Sequence, residues 1–146
     1  HDPMEADFAL VVGVPMETPN LEGYRQRLAA MAQHKVPLVC VNPDLWVRVG
    51  NTLRICAGLV AQLYERDYGG RTIYFGKPHN AVYQTVLART GTSDLSRVLA
   101  VGDLVETDVR GGKGAGFATC LIEGGVLATR LGFGPGARNG AAKSAR

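Results

Sequence analysis

Five short apolar runs constrain the fold of this chain more than any other feature: ADFALVVGV (6–14), PLVCV (37–41), TIYF (72–75), VLAV (98–101) and ATCLI (118–122). Each is closed by glycine, proline or a polar turn, the pattern of a strand buried in a sheet. The stretches between them have helical period. In TPNLEGYRQRLAAMAQHK, Leu21, Tyr24, Leu28 and Met31 recur at helical spacing, with Thr18 placed to cap and Pro19 at the first helical position. A second helix, from about Ala57 to Arg66, turns Leu59, Val60, Leu63 and Tyr64 inward and stops at Gly69-Gly70. HNAVYQTVLART forms a third, stopped by Gly91, and a short glycine-laden helix follows Asp108. Strands alternating with helices predict the α/β class, with parallel β-α units. One segment breaks the rhythm. In LWVRVGNTLRI the period is two, around Gly50-Asn51, which predicts a β-hairpin.

A chain of 146 residues with 46% hydrophobic and 20% charged residues is globular, one domain or pieces of two. It has no apolar run near the roughly 20 residues that span a bilayer, and no secretory signal pattern. Cys40, Cys56 and Cys120 are odd in number and lack CxxC spacing. They read as free buried thiols, and the expected compartment is the cytoplasm. HDPM (1–4) reads as a remnant placed ahead of the protein, so His1 carries no weight. His34 and His79 have no partner at metal-binding spacing. The net charge of +3 is uneven: Arg130, Arg138, Lys143 and Arg146 follow Gly124 with no acid, which leaves 12 cations against 13 acids before it. A neutral body of this kind gives no footprint for nucleic acid. Residues 126–146, rich in Gly, Ala and Arg, are expected to be disordered.

VLAVGDLVETD concentrates the chemistry. Sites in parallel α/β sheets form at the carboxyl ends of strands, where Asp103 follows VLAV and Asp108 lies one helical turn on. Two carboxylates there suit Mg²⁺, which keeps waters and phosphate oxygens as further ligands. Equally, Asp103 ends a strand and Asp108 caps a helix. Lys77, between Gly76 and Pro78 on a loop, is placed either to neutralise a phosphate or to face solvent. A P-loop is excluded, because five residues separate Gly70 from Gly76 and Pro78 stands where Ser or Thr is needed. GGKGAG (111–116) follows a helix start instead of a strand, which argues against dinucleotide binding.

YFGKPHNAVYQTVL, followed by VLAVGDLVETDVRGGKGAGFATCLIEGG, resembles the third and fourth motifs of the haloacid dehalogenase (HAD) superfamily of phosphohydrolases. The likeness is greatest to its class IIA, NagD-like branch, and runs from about Ala6 to Gly125. The resemblance implies a Rossmannoid core with an inserted α/β cap. It implies that Asp103 binds Mg²⁺, that Asp108 supports the metal directly or through water, and that Lys77 pairs with the nucleophilic carboxylate and the phosphoryl group. Gly76 and Gly102 become candidates for backbone contact with phosphate. Asn42 and Asp44 match the cap loop, as substrate contacts or as an Asx-type turn.

The family's nucleophile sits in a D-x-D motif, and no D-x-D occurs among the thirteen acids. The expectation is therefore the C-terminal half of a phosphatase for a small phosphorylated metabolite. Residues 5–75 would be a cap remnant and 76–125 a core remnant, with little activity alone. VLAV would present a bare apolar edge, favouring self-association or a complementing N-terminal half. A non-catalytic, self-associating α/β fragment is the alternative.

Overall fold

A computed structural model describes residues 5–131, apart from 19 and 51. The readings placed on HDPM, Pro19, Asn51 and residues 132–146 lie outside the described residues.

Three of the apolar runs form one parallel sheet in the order β1-β2-β5, from β1 (Ala9–Val11), β2 (Leu38–Cys40) and β5 (Thr72–Tyr74). Its register pairs Ala9 with Leu38, and Leu38 with Thr72. Two helices cover one face, α1 (Glu22–Gln33) and α2 (Ala57–Tyr68). Leu28 and Met31 of α1 meet Val60, Leu63 and Tyr64 of α2 over Val11, Leu38 and Cys40, and all of these are buried. The Tyr64 hydroxyl donates to the Val36 carbonyl at 2.6 Å, so the ring closes the bottom of the core without an unpaired polar atom. Gly69, left-handed at φ 63°, ends α2 as a cap.

Between β2 and α2, β3 (Trp46–Val49) and β4 (Thr52–Ile55) form an antiparallel hairpin that pairs Trp46 with Ile55. The sequence period predicts this element. After β5 come α3 (Asn80–Thr90), β6 (Leu99–Gly102), a wide helical turn over Val105–Val109, α4 (Arg110–Gly114), β7 (Ala118–Leu121) and α5 (Val126–Arg130). β6 and β7 pair in parallel, Leu99 with Ala118 and Gly102 with Leu121. The chain is thus mixed α/β, with parallel strands joined by helices.

Four expectations change. The first helix begins at Glu22 behind Leu21, and the one side chain among the described residues that accepts from its first turn is Asn20, from the Glu22 N–H at 2.9 Å, so Thr18 does not cap it. The second helix runs on to Tyr68. Cys40 and Cys56 are buried but Cys120 is exposed, because its face of β7 is left uncovered. The segment from 126, expected to be disordered, is helical through Arg130, since Val126 and Ala128 find buried positions.

Both sheets leave an apolar face open among the described residues. On β1 and just beyond it, the side chains facing away from the helices, Leu10 and Val12, are 57% and 60% exposed, and on β6 Leu99 and Val101 are each 57% exposed. Runs apolar on both faces predict cover on both, and the described residues supply it on one.

The core makes a specific prediction. Tyr64→Phe removes the hydroxyl that donates to the Val36 carbonyl, and should lower the unfolding free energy by about 1–2 kcal/mol. Urea denaturation should show a reduced midpoint at unchanged slope.

Candidate active site

The carboxyl ends of β5 and β6 bring the two motifs together. After β5 the chain turns at Gly76, whose φ of 85° is left-handed, and a Cβ there would lie 2.8 Å from the Val41 carbonyl oxygen. Only glycine fits such a turn, and it throws Lys77 toward the end of β6. After β6, Gly102 passes so close to Asp108 that a Cβ would run into its carboxylate. Asp108 is 7% exposed. Its Oδ2 accepts from the backbone N–H groups of Asp103 and Leu104, both at 3.0 Å, and its Oδ1 accepts from Lys77 Nζ at 2.5 Å. Asp103 points elsewhere, its Oδ2 accepting from the Val126 N–H at 2.6 Å. The two carboxylates therefore share one loop but hold different partners.

Lys77 also faces Asp44, with Nζ 3.9 Å from Oδ2. Burial pulls the Lys77 pKa down, but the hydrogen bond to Asp108 and the charges of Asp44 and Asp108 outweigh it, and the net shift is upward. Asp44 is anchored by its backbone carbonyl, which accepts from the Gly58 N–H at 3.1 Å near the start of α2. Asn42 turns away from the acids. Its Nδ2 donates to Cys56 Sγ at 3.2 Å and its carbonyl accepts from Cys40 Sγ at 3.5 Å. Asn42 thus shapes the loop that carries Asp44, and burial pushes both thiols up in pKa.

Of the seven residues singled out from the sequence, Lys77, Asp108, Asp44, Gly76 and Gly102 converge. Asp103 sits beside them with its carboxylate turned to Val126, and Asn42 lies behind the loop. Two supports were not read from the sequence. Val126 holds Asp103 through a backbone N–H, which no side-chain pattern announces. Tyr83, buried on α3, stands against Phe117 edge-to-face at 5.7 Å and donates to the Thr107 carbonyl at 3.5 Å, backing the Asp108 turn. Its place on the inner face of HNAVYQTVLART was the available signal.

The donor set fits part of a Mg²⁺ site. Asp103 Oδ1 makes no hydrogen bond among the described residues, whereas both oxygens of Asp108 are engaged. No group of three or more His, Cys, Asp or Glu able to hold a metal occurs among the described residues. Asp44 and Asp108 face the Lys77 ammonium and Asp103 lies beside them, a formal charge of −2 for the four groups, which a phosphate dianion enters only with a compensating cation.

Residues 74–136 match a family model described as HAD-hydrolase-like. A solved HAD-like hydrolase from Brucella suis 1330 superposes with a TM-score of 0.74 at 35% identity, over 94% of this chain and 54% of that one. The chain is similar to the HAD superfamily in sequence and fold. Another solved superfamily member, the p-nitrophenyl phosphatase of Archaeoglobus fulgidus, is 25% identical with a TM-score of 0.64, covering 83% of this chain and 45% of that one. The dihydroxyacetone phosphatase of Corynebacterium glutamicum is 31% identical over 88 residues, which are 60% of this chain and 32% of that protein. The pyrimidine 5′-nucleotidase YjjG of Escherichia coli is 48% identical over 46 residues, 32% of this chain and 20% of that protein. The chain thus spans about half the length of the solved HAD relatives. No helix among the described residues is long and apolar enough to cross a membrane.

The raised Lys77 pKa sets a direction for stability. The folded value lies above the ordinary value of 10.5, so the ion pair's contribution is complete below that pH and is lost as pH rises through the folded value. The stability difference between the wild type and Lys77→Met, followed by urea denaturation, should be flat near neutrality and narrow above about pH 10.5.

Proposed function

We propose that this chain supplies the lysine and metal-binding half of a class IIA, NagD-like phosphatase, a Mg²⁺-dependent hydrolase of small phosphate monoesters. The observation that carries the reading is the Lys77–Asp108 contact at 2.5 Å, with Asp108 also holding the Asp103 loop. It joins the residues of both motifs in one volume at the carboxyl ends of β5 and β6, strands of two parallel sheets, where such sites form. Residues 5–75 serve as the cap unit and 76–125 as the core unit. The matched relatives named as acting on dihydroxyacetone phosphate, nucleotides or p-nitrophenyl phosphate support a small phosphorylated substrate.

In this reading an aspartate from a segment outside the chain attacks phosphorus. The bond to the leaving oxygen breaks, that oxygen takes a proton, and water then cleaves the aspartyl-phosphate to release phosphate and restore the carboxylate. Lys77 lies against the attacking carboxylate and the transferring phosphoryl oxygens, where its charge offsets the charge that develops. Asp108 holds Lys77 and the loop. Asp103 is the residue that would hold Mg²⁺, and the ion supplies charge neutralisation for the phosphate. A second reading, a non-catalytic module that associates with itself, is favoured by the open apolar faces around Leu10, Val12, Leu99 and Val101.

The test is hydrolysis of p-nitrophenyl phosphate with and without Mg²⁺. The purified chain would be assayed alone and mixed with the part of the Brucella suis hydrolase that it does not match. The expected result is no turnover alone and Mg²⁺-dependent turnover in the mixture, lowered about 100-fold or more by Asp103→Asn. A mixture that forms a complex but stays inactive would leave the non-catalytic reading. Turnover by the chain alone, abolished by Asp103→Asn, would place the nucleophile within these residues.

A further inference from the structure

Lys77 lies between two carboxylates that come from opposite sides of the site. Asp108 follows β6, and Asp44 ends the 42–44 loop that follows β2. Asp108 cannot follow the lysine if it moves, because its Oδ2 is committed to the N–H groups of Asp103 and Leu104 and its side chain is 8% exposed. Asp44 has capacity to spare. Its side chain is 21% exposed, its Oδ2 is 3.9 Å from Nζ, and its Oδ1 is buried with no hydrogen-bond partner among the described residues. A buried carboxylate oxygen without a donor is costly, and the ammonium nearby is Lys77.

The backbone that carries Asp44 is held firmly. The Asp44 carbonyl accepts from the Gly58 N–H at 3.1 Å, and the Leu45 carbonyl accepts from the Cys56 N–H at 2.9 Å. Asn42 reaches Cys56, and the Gly76 turn passes so close on the other side that a Cβ there would lie 2.8 Å from the Val41 carbonyl oxygen. The side chain is therefore aimed at Nζ by the fold.

We infer that Asp44 is a positioning residue for Lys77, which is shared between two carboxylates, one on the loop after β2 and one after β6. When a phosphoryl oxygen draws Nζ from Asp108, Asp44 keeps the ammonium over the site, and its unpaired oxygen gains a donor. The purpose of the lysine rests on the phosphatase reading. The contact itself does not.

Zero-length crosslinking tests the contact on the full chain. A water-soluble carbodiimide condenses a carboxylate with an amine that touches it, releasing the urea of the reagent and leaving an amide. After trypsin, an Asp44–Lys77 amide joins peptide 36–48 to peptide 72–89, and an Asp108–Lys77 amide joins 98–110 to 72–89. Both products should appear in the wild type. Asp108→Asn should raise the 36–48 product about two- to five-fold, the shift that one half-exposed ion pair supports. Asp44→Glu should retain a link to Lys77, and Asp44→Asn should lose it with an unchanged thermal melt. Absence of the 36–48 product from both the wild type and Asp108→Asn, while the 98–110 product forms, would overturn the inference and leave the phosphatase reading standing. Failure of the hydrolysis assay would conversely leave this contact untouched.

Discussion

The Asp108 carboxylate is the interaction on which the rest of the site depends. One oxygen takes two backbone N–H groups and so shapes the turn after β6, and the other takes the Lys77 ammonium. Without the turn, Asp103 has no defined place beside Val126. Without the ammonium, a nearly buried carboxylate would lack its charge partner, which the interior tolerates poorly. The close approach at Gly102 and the Tyr83–Phe117 pair behind Thr107 serve this one side chain. Chain segments 31 residues apart in sequence are tied by it, and the two strand ends become one site.

The distribution of apolar surface carries a second constraint. The β1-β2-β5 sheet is sealed on its helical side by Val60, Leu63, Tyr64, Leu28 and Met31, and this side supplies the core. Its other side, with Leu10 and Val12, and the outer face of β6, with Leu99 and Val101, carry the same kind of residue into the open. Strands in parallel sheets carry apolar residues on both faces because both are normally covered. That surface is consistent with a chain that spans about half the length of the solved HAD relatives it matches. It also explains why Cys120, on β7, is exposed although its sequence neighbours read as core.

Much of this is legible in the sequence. The five apolar runs become β1, β2, β5, β6 and β7, the hairpin falls at the change of period, and the helices after Cys56 and His79 start where expected. Lys77 and Asp108 were singled out from residue type and position at strand ends. The errors have local causes. Thr18 looks like a cap, but Asn20 lies nearer the helix start and accepts from the first N–H, that of Glu22. The segment from Val126 looked too poor in large apolar residues to order, yet two small side chains and one carboxylate suffice to hold a turn of helix. Asp103 and Asp108 looked like twin ligands, and their different hydrogen bonds separate them.

The sequence by itself determined the class of fold, the strand-end placement of Asp103, Asp108 and Lys77, and the absence of a D-x-D pair, because these depend on local period, turn residues and spacing. Only the tertiary structure decided which groups touch. That Asp108 rather than Asp103 takes the lysine, that Val126 caps Asp103, and that Asp44 arrives from the far side of the site are matters of how the strand ends and loops converge. Hydrogen bonds between segments distant in the chain leave no period in the sequence. They follow from packing, which is settled only when the helices and sheets come together.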